Sequence, residues 1–135
     1  MELKSRALCE SDWETLQSWW KAWEWPTITK EMLPLNGCGG LMIYKEDTLI
    51  AAGFLYLTNS SIAWMEWIVS NKEYKENDRK QALEMLVSDL EEVALSVGKT
   101  IILSIGRNKG LIDTHKKLGY LIDDNPSYEI SKKLI

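Results

Sequence analysis

The feature that most constrains this chain is the succession of residues 62–69, 78–97 and 100–105. Residues 62–69 are rich in Trp and Ile and read as a long strand. In residues 78–97, Leu83, Leu86, Val87, Leu90, Val93, Ala94 and Val97 recur at three- and four-residue steps, which is one apolar face of a long helix. Gly98 is its natural stop. Residues 100–105 form a continuous apolar strand, a pattern that fits burial on both faces after a parallel crossover. Strand, helix and strand together imply a βαβ unit.

The N-terminal half is organised differently. Residues 3–8 can form a first strand, and Ser11-Asp12-Trp13-Glu14 reads as a capping box that opens a helix. On that helix Trp13, Leu16, Trp20 and Trp23 fall on one apolar stripe, whereas Trp19 and Trp25 lie off it. Pro26 ends it. A short second helix is expected over 29–33, broken by Pro34 and followed by a loop over 36–40. Residues 41–44 and 49–57 are β-prone, and Lys45-Glu46-Asp47 turns them into an antiparallel hairpin. Residues 62–69 then become a central strand. Past residue 105, a short helix over 108–118 ends at Gly119. Residues 120–122 and 128–131 are strand candidates around Asp123-Asp124-Asn125-Pro126.

With 135 residues, the chain fits one domain, 1–135, that buries roughly two-thirds of its unfolded surface. The net charge of -4, with Lys and Arg dispersed among acids, argues against a nucleic-acid partner. The same acidity suits a cationic partner or simply a solvated surface. Cys9 and Cys38 lie far apart and outside any metal-ligand spacing, so no metal is expected and a reduced, cytoplasmic compartment fits. The N-terminus lacks an apolar signal core, and no apolar run is long enough to span a bilayer.

The segment Asn108-Lys109-Gly110-Leu111-Ile112-Asp113-Thr114-His115-Lys116-Lys117-Leu118-Gly119-Tyr120 resembles the late helix, of the form N...A...Y.k.GF, of the GNAT acyltransferases. Leu49-Ile50-Ala51-Ala52-Gly53-Phe54 is similar to the family's third strand, and the helix through Leu86 and Val87 to Ala94 is similar to the one that follows its coenzyme A loop. The resemblance covers nearly the whole chain. It implies an α/β (α+β) fold with a mixed, largely antiparallel sheet of six to seven strands flanked by about four helices. It further implies acetyl-CoA as cosubstrate, seated where strands four and five splay apart. At the pyrophosphate loop, where the family reads R/Q-x-x-G-x-G/A, this chain has Glu76-Asn77-Asp78-Arg79-Lys80-Gln81-Ala82. Both glycines, which let backbone approach phosphate closely, are absent.

The resemblance assigns the backbone of Ile68, Val69 and Ser70 to the pantetheine arm, the segment Arg79, Lys80, Gln81 and Ala82 to the pyrophosphate, and Asn108 to the coenzyme or its water. Arg79 and Lys80 in a first helical turn oppose the helix dipole unless an anion neutralises them; alternatively Asp78 and Gln81 form a cap and the basic chains point to water. Glu66, between Trp64 and Ile68 on one strand face by alternation, is the candidate general base, since apolar surroundings raise a carboxyl pKa; the other reading is a strand-end Glu reaching solvent. His115 stands where the family carries its thiolate-protonating Tyr, and it also fits an ordinary inward-facing helix residue. Tyr120 and Tyr128 are the fallback acids, each also readable as packing. Asn108 is also a favoured N-cap, and Trp19 and Trp25 are candidates for an acceptor pocket or a partner surface, the latter compatible with a homodimer.

The resulting expectation is transfer of an acetyl group from acetyl-CoA to the primary amine of a small molecule or protein. The alternative is an inactive GNAT-like binding or structural module, resembling small phage-borne examples, for which the missing glycines speak.

Overall fold

The computed structural model describes residues 2–26 and 28–135. Strand β1 (Lys4–Ala7) leads through a 3-10 turn, Glu10–Asp12, into helix α1 (Trp13–Ala22). Two further 3-10 turns, Lys30–Met32 and Pro34–Gly37, precede β2 (Gly40–Lys45), β3 (Thr48–Leu57) and β4 (Ile62–Ser70). Helix α2 (Arg79–Ser96), β5 (Ile101–Ser104) and α3 (Lys109–Lys117) complete the order. The strands lie in one sheet in sequence order. β1 to β4 are antiparallel, and β5 runs parallel to β4 after the α2 crossover.

The expected hairpin forms on Glu46, whose φ of 53° supplies the left-handed turn. The apolar period expected for α2 is met in part: Leu86, Val87, Leu90 and Ala94, with Ala82, are buried against one sheet face with Ile43, Leu55, Ala63 and Met65, and Leu83 packs at their margin, whereas Val93 and Val97 turn away from the core and are exposed. Gly98, at φ 85°, closes the helix by donating to Leu95 O at 3.0 Å while Lys99 donates to Ala94 O at 3.0 Å, the paired bonds of a Schellman end. On the opposite face α1 packs Leu16, Trp19 and Trp20 against Met42, Ala52, Phe54 and Val69.

The start of α1 differs from the expected capping box. Ser11 and Glu14 are exposed, and the buried Asp12 does the capping, accepting from the Cys9 amide at 2.9 Å and from both terminal nitrogens of Arg6 at 2.8 Å. Hydrogen bonding to Arg6 holds its carboxyl below the usual range, outweighing the opposing effect of burial. The helix also ends before Pro26. Glu24 takes φ 58°, and the Glu24 and Trp25 amides close onto Lys21 O and Trp20 O, so a Schellman end built on Glu replaces the proline stop. Trp19 is buried on the α1 core face, because residues 16, 19, 20 and 23 share one side of a helix. It is therefore core and lines no acceptor pocket.

The C-terminal expectations need larger correction. Residues 120–122 and 128–131 form no strand, so the sheet has five strands among the described residues. Among the described residues the α-helices number three, with 3-10 turns where a second short helix was expected. β5 is consequently an edge, and Ile101 and Leu103 are 51% and 39% exposed where burial on both faces was expected. No described helix is long and apolar enough to cross a membrane.

Candidate functional site

A β-bulge on β4 builds the site. Ala52 pairs with Val69 and Phe54 with Glu66, so β3 advances two residues while β4 uses three. The extra residue, Trp67, sits at φ 58°. Its consequence is a change of face: Glu66 stays with Trp64, whose indole donates to Glu66 Oε1 at 2.8 Å, while Ile68 turns to the α2 side. Simple alternation, which groups Glu66 with Ile68, fails here because the bulge breaks the two-residue period.

The bulge coincides with a parting of strands. β4 and β5 pair from Ile62 and Ile101 to Met65 and Ser104 and no further. Beyond that point a cleft of about 520 Å³ opens. Its floor is Ile68, Val69 and Ser70 of β4; its walls are the starts of α2 (Arg79, Lys80, Leu83) and α3 (Asn108, Leu111, Thr114); Trp23 and Trp25 cover it. Since the Asn71 amide bonds to Ile50 of β3, strand alternation directs the Ile68 and Ser70 backbones away from β3 and into the opening. Val69 faces β3 instead, so its backbone is unavailable to a pantetheine arm. The Ser70 carbonyl already accepts from Trp23 Nε1 at 2.8 Å.

Two cations, Arg79 and Lys80, and two acids, Glu76 and Asp113, line the cleft. Arg79 donates to Ser70 Oγ at 2.7 Å and lies 5.8 Å from the Trp23 ring centroid, and Lys72 Nζ lies 4.8 Å from the same ring. Asp78 precedes α2 but makes no side-chain cap; its carboxylate accepts from Lys45 Nζ at 2.8 Å and Tyr74 OH at 2.6 Å. The expected Asp78–Gln81 cap is thus absent, and the Lys80 and Gln81 amides have no acceptor among the described residues. Free amides at a helix start suit an anion. Gln81 is exposed outside the lining, so only its backbone can serve, whereas Ala82 is buried in the core and its amide already donates to Asp78 O at 3.0 Å, which leaves it no free donor for a phosphate. Asn108 lines the cleft and also caps α3, accepting from the Leu111 amide at 2.9 Å.

Glu66 stands at the parting point. Burial raises its carboxyl pKa; the nearby Glu129 adds to this, while the Trp64 bond and Arg107 oppose it. His115 lies elsewhere. It is buried beneath α3, with Nδ1 2.9 Å from Leu111 O and Nε2 2.9 Å from Ser104 Oγ. A carbonyl only accepts, so Nδ1 donates to Leu111 O, while Nε2 is paired with the Ser104 hydroxyl. Both nitrogens are engaged and the ring is off the cleft wall, which is the inward-facing alternative. Tyr120 donates to Glu91 at 2.7 Å, and Tyr128 is 92% exposed, so neither faces the cleft.

Sequence reasoning passed over Arg107, Trp67 and Glu129. Arg107 donates to Glu66 Oε2 at 3.0 Å and pairs with Glu129, over the rings of Trp25 and Trp67. One signal was available: Arg107 directly precedes a helix N-cap, where a cation opposes the dipole.

No family model and no curated protein matches this sequence. Solved structures do. A probable acetyltransferase from meticillin-resistant Staphylococcus aureus aligns over 98% of this chain and 99% of its own, with a TM-score of 0.69 and 14% identity. A GNAT family acetyltransferase from Streptococcus pneumoniae covers 98% of each chain at TM-score 0.60 and 15% identity. N-acetylglutamate synthase from Neisseria gonorrhoeae, complexed with coenzyme A and L-arginine, matches 93% of this chain but only 29% of its own length, at TM-score 0.73 and 11% identity. The chain therefore has the GNAT fold, and its structural neighbours include one solved with coenzyme A and one solved with a coenzyme A bisubstrate analogue.

Proposed function

We propose that this protein is an acyl-CoA-dependent N-acyltransferase that moves an acetyl group from acetyl-CoA to a primary amine. The observation that carries the reading is the cleft itself: strand edge, free helix-start amides and cations converge where β4 and β5 part. The Arg79 and Lys80 side chains, with the free amides of Lys80 and Gln81, suit the pyrophosphate; the Ile68 and Ser70 edge suits the pantetheine amides. Asn108 stands at the opposite wall.

Glu66 takes the proton from the acceptor ammonium, a task for which a raised carboxyl pKa is suited. The Ile68 amide, on the open edge after the bulge, donates toward the carbonyl oxygen that gains charge as the amine attacks. The C–S bond then breaks: the attacking nitrogen gives up its second proton to solvent, and the leaving thiolate takes a proton from solvent. His115 has no part in this sequence of steps, because both ring nitrogens are bonded within the fold.

Two observations favour the second reading, a GNAT-like scaffold kept as a binding module. Trp23 closes the Ser70 carbonyl from inside, and the α2 start lacks the two glycines. Thiol release from acetyl-CoA, followed across a panel of primary amines, separates the two. The enzyme reading expects amine-dependent release and an N-acetylated product; a folded protein that releases no thiol with any amine supports the module.

A further inference from the structure

Beside the cleft, Arg107 is held as a preformed binding group. Its guanidinium lies 4.6 Å from the Trp67 ring centroid and 5.4 Å from that of Trp25, and Nη2 donates to Glu66 Oε2 at 3.0 Å. A flat cation laid over two indoles and tied at one nitrogen has little rotamer freedom left to lose on binding. Its outer edge meets Glu129 fork to fork, Nη1 to Oε2 at 2.9 Å and Nη2 to Oε1 at 3.0 Å. This is the arrangement in which Arg recognises a carboxylate.

The carboxylate itself is weakly held from its own side. Glu129 is half exposed, its neighbours Tyr128 and Ile130 are each 92% exposed, and residues 126–135 make no other hydrogen bond among the described residues. A rigid, partly buried receptor thus faces a ligand carried on a segment that packs little of its own surface.

We propose that Arg107 is the specificity-determining residue that takes the carboxylate of an amino-acid acceptor, and that Glu129 occupies that place until the acceptor displaces it. This rests on the acyltransferase reading above. Nη2 bonds both Glu66 and Glu129, so a carboxylate in the Glu129 position lies within two hydrogen-bond lengths of the proposed base. The amine that Glu66 deprotonates and the carboxylate that Arg107 holds then lie close enough together to belong to one small amino acid. A protein N-terminus or an internal lysine lacks that carboxylate. Trp25 lines both this place and the cleft, so the acceptor's amine stands at the cleft's edge.

The test is calorimetric titration of the full chain with common α-amino acids and with their amides, in wild type, Glu129→Gln and Arg107→Lys. A tethered competitor acts at an effective concentration of about millimolar, so Glu129→Gln is expected to bind the preferred acid about tenfold more tightly. The matching amide is expected to bind at least about tenfold more weakly, and Arg107→Lys to lose a similar factor for the acid alone. Amides that bind as well as acids, or acids that bind neither wild type nor Glu129→Gln, overturn the inference. Acetyl-CoA is titrated in parallel. Coenzyme binding with indifference to the carboxylate sinks this inference alone, whereas acid preference without coenzyme binding sinks the acyltransferase reading and leaves Arg107 a carboxylate site.

Discussion

Glu66→Gln is expected to lower kcat for amine acetylation by about 10²–10⁴-fold, the usual worth of a positioned general base. The substitution keeps the side chain's length and its capacity to accept from Trp64, and removes the charge that takes the proton. Its pH profile is the more selective readout. Burial raises the Glu66 pKa above the ordinary carboxyl value of 4.5, and a base works when deprotonated. The rate therefore climbs with pH along a limb centred above 4.5, and Glu66→Gln loses that limb. A variant with unchanged kcat, or with the limb intact, removes Glu66 from the mechanism. The sign for stability is opposite: a carboxyl whose folded pKa is raised stabilises the fold at low pH, and that contribution fades as pH rises through the folded value.

Phe54→Ala is expected to cost about 3–5 kcal/mol of folding stability, the range for emptying an aromatic site in a packed core. Phe54 is fully buried on the α1 face of the sheet, its ring 6.4 Å from that of Trp20. It also pairs with Glu66 across the β3–β4 ladder at the bulge. Domains are commonly stable by only about 5–15 kcal/mol, so the loss is a large fraction of the whole. Urea unfolding followed by tryptophan fluorescence measures it. A midpoint that barely moves would mean that the α1 face is not packed as described.

Much of the fold was legible because its signals are local and periodic. The α2 stripe, the stop at Gly98 and the turn between Lys45 and Thr48 each rest on residues adjacent in sequence. The bulge was not legible: nothing in Trp64-Met65-Glu66-Trp67-Ile68 announces that Trp67 will leave the two-residue period, and that one residue decides which face carries Glu66. The strands expected over 120–122 and 128–131, on either side of the Asp123-Asp124-Asn125-Pro126 turn, found no pairing, and β5 became an exposed edge as a result. In the site, Ile68, Ser70, Arg79, Lys80 and Asn108 come together at the cleft, along with Val69, whose backbone faces the sheet. His115 illustrates a lasting ambiguity: a helix position at core spacing places the ring inside the fold, and only its two bonded nitrogens show what it does there. Arg107 could be understood only once Trp25, Trp67 and Glu129, distant in sequence, were brought around it.

The central claim is that the cleft between β4 and β5 binds acetyl-CoA, and thermal unfolding with and without millimolar acetyl-CoA tests it most directly. Ligand at one hundred times its dissociation constant stabilises the native state by about 2.7 kcal/mol. The expected result is a rise of several degrees in Tm, weakened by Arg79→Ala and retained in Glu66→Gln. An unchanged Tm, with the protein folded and the coenzyme intact, contradicts the account.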